Sequence, residues 1–278
     1  MHWNYMRFPG GKPKALTFSY DDGVIQDERL IEMFEKYGVK GTFNLNSGMY
    51  PDEDFVYPKT EWHRRNKRCK ATSIYSKDCV EVAAHAYTHA HIGELPISVV
   101  TSEFLKDRQE LESQFNRIVR GGCYPYGCVN ENIMLAAKAA GLEYVRGDGC
   151  CYDFGLPANW LNWLPTCSHN YKELMPLAQK FTQDNVIRDP YLFYVWGHSY
   201  EFDRDNTWDV MDDLLKTVSA KKDVWYATTG EIYDYVNAYN SLKYSCTGDM
   251  VFNPTNTEVC FECDFVPIKV KPGHTVKL

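Results

Sequence analysis

An apolar, β-rich run followed by a helical pattern recurs about seven times along this chain, and that rhythm constrains the fold more than any other feature. The strand-like runs are 15–20, 42–45, 79–84, 143–146, 191–196 and 224–227, and Tyr124 stands where a further βα turn would open. Between them, helical spacing of apolar residues covers 26–37, 99–119, 131–140, 174–183, 208–219 and 229–239, with Gly38 and Gly141 as C-terminal stops. Strand followed by helix, repeated, implies parallel strands covered by helices and a barrel-like closure. In that architecture functional groups stand at the C-terminal ends of strands. The 278 residues suit one barrel domain over 1–240 and a small β-rich appendix over 241–278, where Asn253-Pro254 and Pro272-Gly273 punctuate short runs. The appendix reads as a flap packed on the barrel, with an interaction module as the alternative. The stretch 50–77 is an insertion, and its run His63-Arg64-Arg65-Asn66-Lys67-Arg68 reads as a solvated charged surface.

A net charge of −7 argues against nucleic acid or an anionic membrane as main partner. No segment approaches the roughly 20 apolar residues of a membrane span, and the N-terminus lacks a signal-peptide run, so the expected location is cytoplasmic unless an export signal has been removed. An aromatic content of 15% suits stacking on sugar faces and equally suits an aromatic core. The ten cysteines are irregularly spaced, and Cys260 and Cys263 lack a second CxxC. They read as reduced thiols, that pair lying on a strand. Oligomeric state is left open, a homo-oligomer being allowed.

Chemistry concentrates at the strand ends. Asp21 and Asp22, in Ser19-Tyr20-Asp21-Asp22-Gly23, follow the first strand, and His85 and His89 follow the third. Two imidazoles four residues apart and one carboxylate form a ligand set for a divalent cation with open positions, leaving the other aspartate free as a base. His198 follows the late strand beside Gly197, where an exposed working position competes with a satisfied core histidine. The turn Cys123-Tyr124-Pro125-Tyr126-Gly127 can aim a backbone N–H at a developing oxyanion and present a tyrosine ring to a sugar.

In order and approximate spacing, DDG, HxxxH, PYG and the late strand ending in His resemble the metal-dependent polysaccharide deacetylases. That carbohydrate esterase family includes chitin, chitooligosaccharide and peptidoglycan N-deacetylases and some xylan acetyl esterases. The resemblance spans about residues 12–238. It implies an irregular (β/α)7 barrel and a divalent metal, zinc first with cobalt or nickel possible, on Asp22, His85 and His89. It further implies Asp21 as general base, the Tyr126 N–H as oxyanion donor and His198 as general acid. Tyr126, Trp163 and Trp196 are the candidates for substrate contact, and an acetylated oligosaccharide or polysaccharide is the expected partner. The implied reaction is hydrolysis of an acetyl group from a carbohydrate, N-acetyl before O-acetyl. A non-sugar amide or ureide substrate is the alternative within hydrolases. A non-catalytic sugar-binding relative is the other, weakened by retention of Asp21 and His198.

Two departures from the family pattern stand out. Cys123 occupies the position of the arginine that normally contacts the base; Arg146 is the candidate substitute and Arg120 the weaker one. The aspartate that orients the acid histidine, normally followed closely by Trp, has no clear counterpart among Asp148, Asp153, Trp160 and Trp163. His169 reads as a structural histidine, with substrate contact or competition for the metal as alternatives.

Overall fold

The structure is a computed structural model and describes residues 2–59 and 62–278. Its strands, in chain order, are β1 (Asn4–Arg7), β2 (Lys14–Asp21), β3 (Gly41–Leu45), β4 (Val80–Ala84), β5 (Gly121–Cys123), β6 (Tyr144–Arg146), β7 (Cys167–Ser168), β8 (Tyr191–Gly197) and β9 (Val224–Tyr226). Helices α1 (Asp27–Tyr37), α2 (Arg68–Ile74), α3 (Ile97–Phe115), α4 (Glu131–Ala139), α5 (Leu174–Gln183), α6 (Tyr200–Asp205), α7 (Trp208–Val218) and α8 (Thr229–Asn240) lie between or after them.

Strands β2 to β9 form one parallel sheet in the order β6-β5-β4-β3-β2-β8-β7. Strand β9 pairs with Lys14–Leu16 and β3 with Phe18–Asp21, so the two share one edge of β2. The ring is drawn together by the segment before β7. Trp163 bridges to Arg146 of β6, its N–H donating to the Val145 carbonyl at 3.0 Å, while the Thr166 N–H reaches the Tyr194 carbonyl of β8 at 2.8 Å. The result is the curled parallel sheet expected of the barrel. Strand alternation sorts its two faces. Leu16, Phe18 and Tyr20 of β2, Phe43 and Leu45 of β3, and Val80, Val82 and Ala84 of β4 face the covering helices. The interleaved Thr17, Ser19, Asp21, Thr42, Asn44 and Glu81 point the other way, so polar groups share the lumen with the buried Ala15, Leu192 and Tyr194.

Two strands differ from the sequence expectation. Strand β5 is built on Gly121-Gly122, a pair with poor strand propensity that is needed for close approach: a Cβ on Gly121 would meet the Tyr144 ring at 2.3 Å. Strand β7 is too short to carry a periodic signal and exists through its pairing with β8.

The appendix comprises β10 (Lys243–Tyr244), β11 (Met250–Phe252), β12 (Val259–Cys263), β13 (Val266–Val270) and β14 (Thr275–Lys277), in two three-stranded antiparallel sheets. One of these takes in β1, which pairs with β12. The two chain ends are therefore joined, and Arg7 donates to both Glu262 oxygens at 3.0 and 2.9 Å. Tyr235 of α8 donates to the Arg7 carbonyl at 2.7 Å and accepts the Cys260 N–H at 2.9 Å, seating the appendix on the barrel. Cys260 and Cys263 are three apart on one strand and so project to opposite faces, and all ten cysteines are free thiols. No helix among the described residues is long and apolar enough to cross a membrane.

Candidate active site

Asp21 is the last residue of β2 and Asp22 the first of the turn beyond it, where the backbone takes φ 78°. Left-handed geometry is costly for a residue with a Cβ. Ala86, His89 and Tyr126 also have positive φ, so four of the ten such non-glycine residues among those described crowd this rim. That reversal splits the acidic pair between two environments.

Asp22 turns toward the loop after β4. Its Oδ1 lies 3.3 Å from His89 Nε2 and 3.8 Å from His85 Nε2, and one ligand atom from each of the three residues falls within 4.8 Å of the others. His85 Nδ1 is 2.9 Å from the Cys123 carbonyl, which can only accept. Nδ1 therefore carries the hydrogen, and the Nε2 lone pair faces Asp22. Burial, followed by the neighbouring His85, brings His89 down to about 4, so it is neutral near pH 7. Burial also lowers His85. Against the opposing effect of burial, His63, His85 and Arg65 hold Asp22 well below the usual carboxylate range. Two neutral imidazoles and one ionised carboxylate are the donors a divalent transition metal requires. Asp21, His85 and Cys123 form a second close group, but the Arg146 guanidinium sits on its aspartate and thiol.

Asp21 turns to the opposite side. Its Oδ1 accepts from Asn44 Nδ2 at 2.8 Å, and Oδ2 pairs with Arg146. Burial opposes ionisation, but Arg146, His85 and His198 outweigh it and hold the carboxyl below its ordinary range. Arg146 contacts Asp21 here, with the Cys123 Sγ 2.7 Å from the same guanidinium and Trp196 covering that guanidinium at 4.3 Å. Arg120 is remote, paired with Glu143 and Asp234.

His198 Nε2 lies 3.8 Å from Asp21 Oδ2, and its Nδ1 lies 3.7 Å from Glu201 Oε2. Burial lowers the His198 pKa, but Glu201, with Asp21 and Asp22, prevails and raises it. The carboxylate beside His198 is therefore Glu201, from the first turn of α6, while Asp148 and Asp153 are exposed. Glu201 also lies 3.2 Å from Nε2 of His169, a buried ring stacked on Tyr20. That burial removes His169 from substrate and metal.

Tyr126, on the Pro125–Gly127 turn, is 57% exposed, stacks flat on His91 at 3.7 Å and meets His89 edge-on. It stands with Trp196 on the wall of a cleft of about 840 Å³ whose floor carries both aspartates. Trp163 does not reach this cleft. It is 1% exposed and packs edge-on against Trp160 and Tyr194, because the ring-closing segment turns it inward, so it offers a substrate no surface.

Sequence reasoning missed three contributions besides Glu201. Asp107 of α3 accepts from the Ser47 N–H at 2.7 Å and the His85 N–H at 2.8 Å, anchoring the histidine loop from behind. The segment expected to be solvated folds over the site: His63 Nε2 is 2.8 Å from Asp22 Oδ2, and Arg65, only 8% exposed, is 3.2 Å from Asp22 Oδ1. The same segment carries Phe55 and Tyr57 onto the cleft wall.

A polysaccharide deacetylase family profile matches residues 7–145, half of the chain. Solved structures with this fold include the Xyl-CE4 domain of a multidomain xylanase from the hindgut metagenome of Trinervitermes trinervoides, with 14% identity and TM-score 0.51 over 82% of this chain and 92% of that one. A mutant of a Bacillus anthracis CE4 family pseudoenzyme, with restored activity, aligns at 16% identity and TM-score 0.50 over 82% of this chain and 69% of its own. A Streptococcus pyogenes deacetylase in complex with acetate aligns at 17% identity and TM-score 0.40, covering 45% of this chain and about half, 52%, of its own. No curated protein matches. On the match over half its length, the chain belongs to the polysaccharide deacetylase family.

Proposed function

We propose that this protein hydrolyses acetyl groups from a carbohydrate, N-acetyl in preference to O-acetyl, with a divalent metal, zinc first, held by Asp22, His85 and His89. The observation that carries this reading is the division of the acidic pair: Asp22 faces two neutral imidazoles, while Asp21 faces Arg146 and His198 across the same cleft. A metal in that position supplies Lewis acidity toward the acetyl carbonyl and lowers the pKa of water.

The chain's own groups perform the remaining steps. Asp21, kept ionised by Arg146, accepts the proton of the attacking water. The carbonyl oxygen becomes an oxyanion, and the Tyr126 N–H, on a turn held in left-handed geometry, is the donor proposed to receive it. His198, whose raised pKa favours the imidazolium, donates from Nε2 to the leaving nitrogen or sugar oxygen as the C–N or C–O bond breaks. Tyr126 and Trp196 offer aromatic faces to the sugar ring, with Phe55 and Tyr57 on the inserted side.

The test is acetate release from N-acetylated chitooligosaccharides and O-acetylated xylooligosaccharides under identical conditions. Faster release from the first series supports the reading, and release from the second alone reassigns the substrate. No release from either, with one metal still bound, moves the assignment to a non-sugar amide or a binding role.

A further inference from the structure

The insertion does more than line the cleft. Asp22 has two oxygens with different neighbours: Oδ1 faces His89 at 3.3 Å and His85 at 3.8 Å, whereas Oδ2 faces, among the described residues, His63 at 2.8 Å. His63 is also held by Tyr200, whose ring meets its imidazole edge-on at 4.7 Å. Two residues further on, Arg65 fixes the other side of the turn. It donates to the Asp22 carbonyl and, at 2.7 Å, to Asn46 Oδ1, and the Asn46 amide in turn donates to the carbonyls of His85 and Ala86. One short stretch of chain therefore ties the left-handed turn of Asp22 to the loop bearing both histidines.

A carboxylate free to rotate turns an oxygen toward the histidines in only part of its range, and the remaining orientations must be reversed before a cation binds. The Arg65 guanidinium, 3.2 Å from Oδ1, holds the same carboxylate from the other side, so the two basic residues fix its rotation together. We propose that the 62–67 stretch is a clamp on the metal site, in which His63, outside the ligand set, engages Asp22 Oδ2 and leaves Oδ1 presented to His85 and His89. His63 is thus a positioning residue that sets metal affinity. The inference rests on the metal reading above.

Cobalt(II) titration of metal-stripped protein tests it, following the dissociation constant and the d–d absorption of the bound ion in wild type, His63→Ala and His63→Gln. Wild type should take one cobalt. His63→Ala should bind about 10- to 100-fold more weakly, the usual cost of losing a partner behind a metal ligand, with unchanged band positions. His63→Gln, which retains an N–H donor, should recover part of that loss. The metal-stripped alanine variant should keep the thermal midpoint of wild type, since the side chain is 44% exposed. Unchanged affinity in His63→Ala overturns the clamp and leaves the metal site standing. Shifted bands make His63 a ligand and overturn its outer position. A wild type that binds no cobalt overturns the metal reading itself.

Discussion

At the N-terminal ends of the strands, Glu81 of β4 is saturated: Oε2 accepts from Thr42 Oγ1 at 2.8 Å, Thr229 Oγ1 at 3.1 Å and the Gly230 N–H at 2.9 Å, and Oε1 accepts from Tyr144. Lys14, at the start of β2, is equally engaged, 2.9 Å from Asp223 and 3.2 Å from the Thr182 carbonyl. At the opposite ends, Asp21, Asp22, His85, His89 and His198 converge on a cleft, where the His85 lone pair faces Asp22 and no donor, and His198 is part-exposed. Glu81 and Asp21 lie on the lumen side of the sheet, whereas Lys14 points to the helix side, beside Thr182 and the Phe181 ring of α5. Saturation at one end stabilises the fold, and unspent bonding capacity at the other is what a substrate and a cation can use.

Substitutions can break this contrast, and the largest effects belong to the cleft. Asp21→Asn should lower kcat/KM for acetate release by about 10²- to 10⁴-fold while metal content stays at wild-type level. Comparable activity in that variant would mean that the barrel's two ends are less distinct than their geometry. Glu201→Gln should cost about tenfold in kcat, near 1.4 kcal/mol of barrier. It should also move the alkaline limb of the pH–rate profile to lower pH: Glu201 raises the His198 pKa, so without it the imidazolium is lost earlier on raising the pH. A profile that does not move would make Glu201 a structural neighbour only.

At the other end the expected readout is stability. Glu81→Gln removes a charge that accepts four hydrogen bonds and should destabilise the fold by about 2–3 kcal/mol in urea unfolding, with kcat unchanged for the folded fraction. The smallest effect is expected at Gly38, which ends α1 at φ 64° with nothing within 4 Å of an added Cβ. Gly38→Ala should cost about 1 kcal/mol through backbone strain alone and leave catalysis untouched.

What was legible in the sequence follows the same physical division. Asp21, Asp22, His85, His89 and His198 stand immediately after apolar strands, so a short stretch of chain shows both the residue type and its place in the barrel. Arg146 ends β6 and was open to the same reasoning. Asp107 carried a quieter signal: it interrupts the buried stripe of Val100, Phe104, Leu111 and Phe115 on α3, where a carboxylate needs internal donors. Glu201 was equally within reach as the acid one helical turn after His198. His63 and Arg65 were not, because nothing local tells a basic run on the surface from one that folds back over a cleft. Trp163 was misplaced for a related reason: its burial depends on how the segment between β6 and β8 closes the ring.

The central claim is that Asp22 and Asp21 divide cation binding from proton transfer, and its most direct measurement is acetate release by metal-stripped protein as zinc, cobalt or nickel is restored. Wild type should be inactive when stripped and regain turnover at one equivalent, Asp21→Asn should bind that equivalent and stay inactive, and Asp22→Ala should bind none. Full activity without metal, or turnover by metal-loaded Asp21→Asn equal to wild type, would contradict the account.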